Sequence, residues 1–158
     1  MQTNAIRLVE IAAFGTHTEA TLVDVLRTSD DDFISLVAEF GNDVVGHICF
    51  SRVVIEGAAA TTRVSALAPL AVRPHDQRRG IGSMLVASGL DECRRRRIDA
   101  VFVVGDPRYY SRFGFVAASD CGVRCEFEVA NDAFRLIELR RGAVSGGLLK
   151  YPAAFHAP

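Results

Sequence analysis

Long apolar runs, appreciable net charge and a cysteine framework are all missing from this chain of 158 residues. No apolar stretch approaches the ~18 residues that a membrane-spanning helix requires, and the N-terminus lacks the basic start and apolar core of a signal peptide. A formal net charge of -1 gives no overall attraction to nucleic acid or to a membrane surface. We therefore expect a cytoplasmic protein with neither nucleic acid nor membrane as a partner.

The cysteines are few, and of the four only Cys121 and Cys125 lie close together. Common zinc sites do not use their Cys-x3-Cys spacing, and a metal ion would need two further ligands. We expect reduced thiols that fill apolar space, and no metal.

Repeats, low-complexity tracts and linkers are also missing, so residues 1–158 are predicted to form a single domain. Helical periodicity predicts three helices. The first covers 5–14, and the second runs from a capping box at Thr16 and Glu19 to about Arg27. The third begins at Ile81 and ends in the arginines at 94–97, where positive charge suits the helix dipole. β-branched and aromatic runs predict the strands, which are 33–40, 44–55, 63–72, 98–104, 114–116, 125–129 and 133–139.

These elements predict an α/β (α+β) fold with a mixed, mostly antiparallel central sheet and helices on both faces. The first two strands flank Gly41-Asn42-Asp43 and should form an antiparallel hairpin. The strand over 63–72, the helix from Ile81 and the strand over 98–104 form a βαβ unit. Pro69 cannot donate to a ladder, which predicts an opening in the sheet at this position.

The loop between that strand and that helix has the chemistry of an anion site. Backbone amides at a helix N-terminus attract anions, and Gly80 and Gly82 let the backbone approach a phosphate closely. Arg78 and Arg79 add positive charge, which favours a pyrophosphate. A Walker A loop would need a lysine that is missing here, and the third glycine of a dinucleotide-binding fingerprint is replaced by Leu85.

Residues 77–82, Gln-Arg-Arg-Gly-Ile-Gly, resemble the Arg/Gln-x-x-Gly-x-Gly/Ala acetyl-CoA signature of the GNAT superfamily of N-acetyltransferases. Residues 110–115, Tyr-Ser-Arg-Phe-Gly-Phe, resemble the later Tyr-x-x-x-Gly-Phe element of the same family. Residues 35–39, 45–48 and 151–155 are similar to the YhbS-like bacterial subgroup. The resemblance implies the GNAT acyl-CoA N-acyltransferase fold, with the family's first strand missing or very short because only residues 1–4 precede the first helix.

The resemblance also implies acetyl-CoA as cosubstrate, with its pyrophosphate on the loop amides and its pantetheine along the end of the preceding strand. The residues assigned to acetyl-CoA in this way are Leu70, Ala71, Val72, Gln77, Arg78, Arg79, Gly80, Ile81, Gly82 and Ser83.

In such a reaction an amine attacks the thioester directly, a backbone amide near Val72 stabilises the oxyanion, and an acid assists the departing thiolate. Tyr110 is the candidate acid, and the alternative is that it only packs beside Phe113 and Phe115. Asp106 either contacts substrate or caps a short helix. The base that deprotonates the amine is left open among four candidates, which are His47, Glu39, Glu19 and a chain of water molecules.

The expected function is therefore acetyl-CoA-dependent transfer of an acetyl group to a primary amine of an unidentified small molecule or peptide. The alternative from another class is a non-catalytic coenzyme A-binding sensor or scaffold. The apolar C-terminal residues 146–155 leave two further alternatives open, a homodimer interface and burial within the monomer.

Overall fold

The computed structural model of the protein describes residues 2–29 and 32–156. The helices are α1 (Gln2–Phe14), α2 (Thr18–Ser29), α3 (Ile81–Arg95) and α4 (Pro107–Ser111). The strands are β1 (Ile34–Phe40), β2 (Asp43–Glu56), β3 (Val64–Val72), β4 (Ala100–Val104), β5 (Val116–Ala117), β6 (Val123–Cys125), β7 (Phe134–Glu138) and β8 (Gly147–Lys150).

The chain divides into two compact units, each described here by itself. Unit 1 comprises Met1–Ser51 and Leu67–Asp91, and unit 2 comprises Arg52–Ala66 and Glu92–Pro158. The single domain expected from the sequence stays a prediction.

Unit 1 contains the predicted hairpin, because β1 pairs with β2 antiparallel around a turn in which Gly41 has a φ of 62°. The register shifts between Ala38 and Glu39. An ion pair between Arg7 and Asp24 joins α1 to α2. The small apolar core between these helices and the hairpin is formed by Ile6, Val23 and Cys49, with Phe33 and Val37 packed against it.

Unit 2 is built around β4, which lies between a parallel and an antiparallel neighbour. Val64–Ala66 of β3 run parallel to Ala100–Phe102, and β7 pairs antiparallel with β4 along its whole length. β8 pairs antiparallel with the end of β2 and parallel with β6. Phe102 and Phe134, with ring centroids 5.7 Å apart, belong to the core of this unit.

The hydrogen-bonded strand order is β5-β7-β4-β3-β2-β8-β6, with β1 on β2. Of the six ladders with a described register, four are antiparallel, and the β3-α3-β4 connection joins parallel strands. The mixed, mostly antiparallel sheet and the βαβ unit predicted from the sequence are therefore confirmed. Within residues 2–29 the chain forms only α1, α2 and their connection, so no strand precedes α1 there.

Two local predictions were wrong. Thr16 is not the cap of α2, because its hydroxyl donates to the Glu19 carboxylate at 2.9 Å and the helix begins only at Thr18. The strand predicted over 125–129 ends at Cys125. Beyond the strand, Glu126 still donates its N–H to the Leu149 carbonyl at 3.2 Å, and its carboxylate accepts the backbone N–H of Tyr151.

Candidate active site

The loop between β3 and α3, residues 73–80 of unit 1, is organised around a buried carboxylate. Asp76 accepts a hydrogen bond from Arg73 Nε at 2.9 Å, and Arg79 Nη1 lies 3.7 Å from its other oxygen. The side chain of Asp76 is only 10% exposed, whereas that of Arg79 is 62% exposed. One terminal nitrogen of the Arg79 guanidinium is therefore held near Asp76, while the Arg79 side chain as a whole stays largely exposed.

Two hydrogen bonds tie the start of this loop to the sheet. The Arg73 N–H donates to the Val45 carbonyl at 2.9 Å, and the Gln77 side-chain amide donates to the Val72 carbonyl at 2.9 Å. The sequence assigned Gln77 to acetyl-CoA, and its side chain here braces the turn that follows β3. This brace holds the following residues in place for a ligand.

The loop backbone is left-handed at two positions close to the helix. Arg78 has a φ of 64° and Gly80 a φ of 81°. A Cβ added at Gly80 would meet nothing within 4 Å, so backbone conformation, not lack of space, favours glycine there. Residues 77–80 are exposed.

α3 begins where this turn ends, and its first amides face the loop. The Met84 N–H donates to the Gly80 carbonyl at 3.0 Å, so the amides of Ile81 and Gly82 precede the first intrahelical bond. The first turn of α3 contains no acidic residue. Open amides at the positive end of a helix, beside Arg78 and Arg79, form a site suited to a phosphate group.

The strand end that the sequence assigned to pantetheine is also part of unit 1. The parallel ladder of β3 ends at Ala66, three residues before Pro69, as expected from a residue without an N–H. Leu70 is half-buried, while Ala71 and Val72 are buried. The structure thus brings all ten residues assigned to acetyl-CoA into one continuous strand end, loop and first helical turn.

Tyr110 lies on α4 in unit 2. Asp106 caps this helix, since its side chain accepts the Arg108 N–H at 2.9 Å and Pro107 follows at the first helical position. Tyr110 is buried and packs edge-on against Tyr109 at 5.0 Å and Phe115 at 5.6 Å between ring centroids. Burial, and next the neighbouring Tyr109, raise the pKa of Tyr110 to about 12, so its phenol keeps its proton at neutral pH.

The three side chains considered as the base have different surroundings. Glu39 is exposed and accepts a hydrogen bond from Gln2, and Glu19 is half-buried beside Thr16. His47 is fully buried. The structure does not bring these three together.

His47 has two partners that the sequence analysis missed. Its Nδ1 lies 2.7 Å from Glu10 Oε2, and its Nε2 lies 2.7 Å from Ser35 Oγ. A signal for Glu10 was present, because it follows Ile6 by four residues on α1 and so lies on the buried face of that helix.

Comparison with known proteins agrees with this geometry. A family model described as Acetyltransferase (GNAT) family matches residues 5–115. The chain therefore belongs to the GNAT family of acetyltransferases, as its two motifs predicted, and is an N-acetyltransferase like its named relatives.

Among its relatives, the uncharacterized N-acetyltransferase YjhQ of Escherichia coli K12 is 36% identical over 130 residues, which cover 80% of this chain and 72% of YjhQ. The uncharacterized N-acetyltransferase YhbS of the same strain is 34% identical over 149 residues, covering 91% of this chain and 87% of YhbS. The predicted likeness to the YhbS-like subgroup is thereby confirmed.

Two solved structures extend the likeness to the fold. E. coli YhbS in complex with CoA superimposes with a TM-score of 0.89 at 32% identity, over 98% of this chain and 87% of that one. A GNAT family acetyltransferase of Brucella melitensis in complex with acetyl-CoA gives a TM-score of 0.80 at 33% identity, over 98% and 92% of the two chains. The GNAT fold expected from the sequence is confirmed.

Residues 2–29 and 32–156 contain neither a membrane-spanning helix nor a cluster of metal-ligating side chains. None of the helices there is long and apolar enough to cross a membrane. Nor do three or more His, Cys, Asp or Glu side chains gather there as metal ligands would.

Proposed function

We propose that this acetyltransferase uses acetyl-CoA to acetylate a primary amine of a small molecule or peptide, with the β3–α3 loop as its cofactor site. The observation that carries the proposal is the exposed, left-handed backbone at Arg78 and Gly80 leading into the open amides of α3. The complexes of the two related proteins with CoA and acetyl-CoA support the same assignment.

In the proposed reaction the loop amides bind the pyrophosphate, and the exposed guanidinium groups of Arg78 and Arg79 neutralise part of its charge. Backbone groups of Leu70, Ala71 and Val72 pair with the amides of pantetheine. The amine attacks the thioester carbon directly, and a backbone N–H near Val72 stabilises the resulting oxyanion.

Tyr110 is proposed to assist the leaving thiolate by hydrogen bonding. Its pKa of about 12 lies well above the ~8.5 of a thiol, so a full proton transfer from the phenol to the thiolate is uphill by about 5 kcal/mol. A hydrogen bond donated by a neutral phenol needs no such transfer and still stabilises the developing negative charge.

Calorimetric titration with acetyl-CoA tests the cofactor site with two variants that differ by one charge. Gly80→Glu and Gly80→Gln place side chains of equal size in the same open space, and both force a side chain onto a φ of 81°. Strain and bulk are therefore matched. We expect Gly80→Glu to bind acetyl-CoA at least about tenfold more weakly than Gly80→Gln, because only the carboxylate repels the pyrophosphate.

Turnover is measured in the same preparations as thiol release, with spermidine, lysine methyl ester and a peptide with a free N-terminal alanine as acceptors. Thiol release by the wild type that depends on one of these amines supports the proposal. Binding without release from any of the three leaves two alternatives, a sensor or scaffold and an acceptor amine outside this panel. Absence of binding by the folded wild type would overturn the proposed cofactor site.

A further inference from the structure

Three side chains of unit 1 form a line of short hydrogen bonds to which the steps proposed above assign no role. Ser35 Oγ lies 2.7 Å from His47 Nε2, and His47 Nδ1 lies 2.7 Å from Glu10 Oε2. His47 and Glu10 are fully buried, whereas Ser35 is half-buried. A hydroxyl next to an imidazole that is oriented by a carboxylate is the arrangement of an activated nucleophile.

The hairpin and α1 explain why these residues meet. Ser35 of β1 lies opposite Cys49 of β2, and His47 is two residues from Cys49, so all three share one face of the hairpin. α1 packs against this face through Ile6, and Glu10 is one helical turn further along the same side. The line of groups is therefore fixed by regular secondary structure.

With Glu10 ionised and His47 neutral, the hydrogen bonds run in one direction. An ionised Glu10 only accepts, so the Nδ1–H of His47 donates to it and leaves Nε2 as an acceptor. The Ser35 hydroxyl then donates to Nε2. Arg27 Nη2 donates to Ser35 Oγ at 3.2 Å, which occupies one of the two lone pairs of that oxygen and leaves the other for attack on a substrate.

We propose that Ser35, His47 and Glu10 form a catalytic triad through which this chain cleaves small activated acyl esters. Ser35 is the nucleophile and His47 the base, while Glu10 is a positioning residue that holds the tautomer of His47 and stabilises the imidazolium. This activity uses neither the β3–α3 loop nor acetyl-CoA, so it stands apart from the proposed acetyl transfer.

Arg27 supplies the group that a developing oxyanion needs. Its Nε is buried and has no hydrogen-bond partner among residues 2–29 and 32–156, although its Nη2 already contacts Ser35. The guanidinium carbon lies 5.2 Å from the ring centroid of Phe33, which holds the group in place. A charged donor beside the nucleophile stabilises the negative oxygen of a tetrahedral intermediate.

The reaction balances without another reagent besides water. Ser35 Oγ bonds to the acyl carbon, its proton moves to His47 Nε2, and collapse of the tetrahedral intermediate breaks the ester C–O bond and releases the alcohol or phenol with that proton. Water then attacks the acyl-serine, with His47 taking its proton. The acyl–Oγ bond breaks, and the proton returns from His47 to Ser35 as the carboxylic acid leaves.

A small dialkyl fluorophosphate tests the triad, because it phosphorylates an activated serine, loses fluoride and stays attached. We expect the mass of the intact wild-type protein to increase by a single dialkylphosphoryl group that peptide mapping places on Ser35. Urea-unfolded protein should not react. Label elsewhere only, or none on the folded wild type, would overturn the proposal without bearing on acetyl-CoA binding.

Variants separate a catalytic from a structural arrangement, with p-nitrophenyl acetate hydrolysis as the second readout. Ser35→Ala and His47→Gln should abolish labelling and lower hydrolysis by roughly 10³-fold. Ser51→Ala is the matched control, since it removes a fully buried hydroxyl without a described partner from the same face of β2 and should change neither readout.

Glu10 is tested by a pair of substitutions. Glu10→Gln keeps the size of the side chain but no longer holds the tautomer of His47, so the labelling rate should fall by roughly 10³-fold. Glu10→Asp keeps the carboxylate and should restore part of that rate. Equal labelling rates in all three proteins at equal thermal stability would show that the Glu10 contact is structural only, and would overturn its place in the triad.

Discussion

Gly89 of α3 lies directly against the ring of Phe50 on β2, so closely that a Cβ at position 89 would be 2.2 Å from Phe50 Cε1. Phe50 is fully buried. The absence of a side chain at position 89 therefore sets how closely α3 approaches the hairpin of unit 1. This contact holds the helix whose first turn forms part of the proposed acetyl-CoA site.

Gly89→Ala is predicted to destabilise the protein although alanine is the better helix former. The substitution gains about 1 kcal/mol of helix propensity, but overpacking a buried ring costs about 1–3 kcal/mol and a gap of 2.2 Å places the cost at the upper end. We expect a net loss of about 1–2 kcal/mol in thermal or urea unfolding. The control is Ser88→Ala at an exposed neighbouring position, which should not destabilise the protein. In the double variant Gly89→Ala/Phe50→Leu, the smaller side chain at position 50 should recover part of the stability lost in Gly89→Ala.

Gly80 and Gly15 provide a second comparison. Both have a left-handed backbone, with φ of 81° and 73°, and a Cβ at either would meet nothing within 4 Å. Gly80→Ala and Gly15→Ala should therefore lose a similar ~1 kcal/mol of stability. Only Gly80→Ala should weaken acetyl-CoA binding, by about tenfold or more, because relaxation of the loop turns its amides away from the pyrophosphate. Equal calorimetric affinities for the two variants would contradict the proposed loop.

The sequence allowed the hairpin, the βαβ unit and the α3 loop to be predicted, because each is specified by neighbouring residues. Gly41 marks a turn between two β-rich runs, and Gly80 precedes a helix directly. Neighbouring residues did not allow the hydrogen bond from the Gln77 side chain to the loop backbone to be predicted. Its partner is the Val72 carbonyl, and the choice between ligand binding and a brace depends on the turn's geometry.

Features that depend on distant partners were missed. Glu10 and His47 are 37 residues apart in sequence, and neither alone indicates a buried pair. β8 was not predicted, because its short apolar run becomes a strand only by pairing with β2 and β6. On α3, Met84 is 62% exposed, whereas Leu85, Val86 and Leu90 are buried. These outcomes are decided by tertiary contacts that helical periodicity does not contain.

Tyr110→Phe should slow thiol release by roughly 10- to 100-fold with whichever amine the acceptor panel identifies, as removal of one hydrogen bond to a charged group costs about 1.5–3 kcal/mol. Calorimetric affinity for acetyl-CoA should not change. The control is Tyr109→Phe, which removes a hydroxyl from the adjacent ring and should leave the rate near that of the wild type. An unchanged rate in Tyr110→Phe would mean that Tyr110 only packs against Phe115.

The raised pKa of Tyr110 predicts how stability depends on alkaline pH. Burial holds the pKa of Tyr110 at about 12 in the folded chain, against about 10 when unfolded, so the folded state retains the phenolic proton over this interval. The unfolded state then binds fewer protons, and stability falls as pH rises from about 10 towards 12. Tyr110 accounts for at most about 2–3 kcal/mol of that loss, since two pKa units correspond to about 2.7 kcal/mol. Between pH 9 and pH 11, the free energy of unfolding measured in urea should therefore fall less steeply with pH for Tyr110→Phe than for the wild type. Below pH 9 the two plots of unfolding free energy against pH should be parallel. Parallel curves over the whole range would show that the phenol of Tyr110 titrates as it does in water.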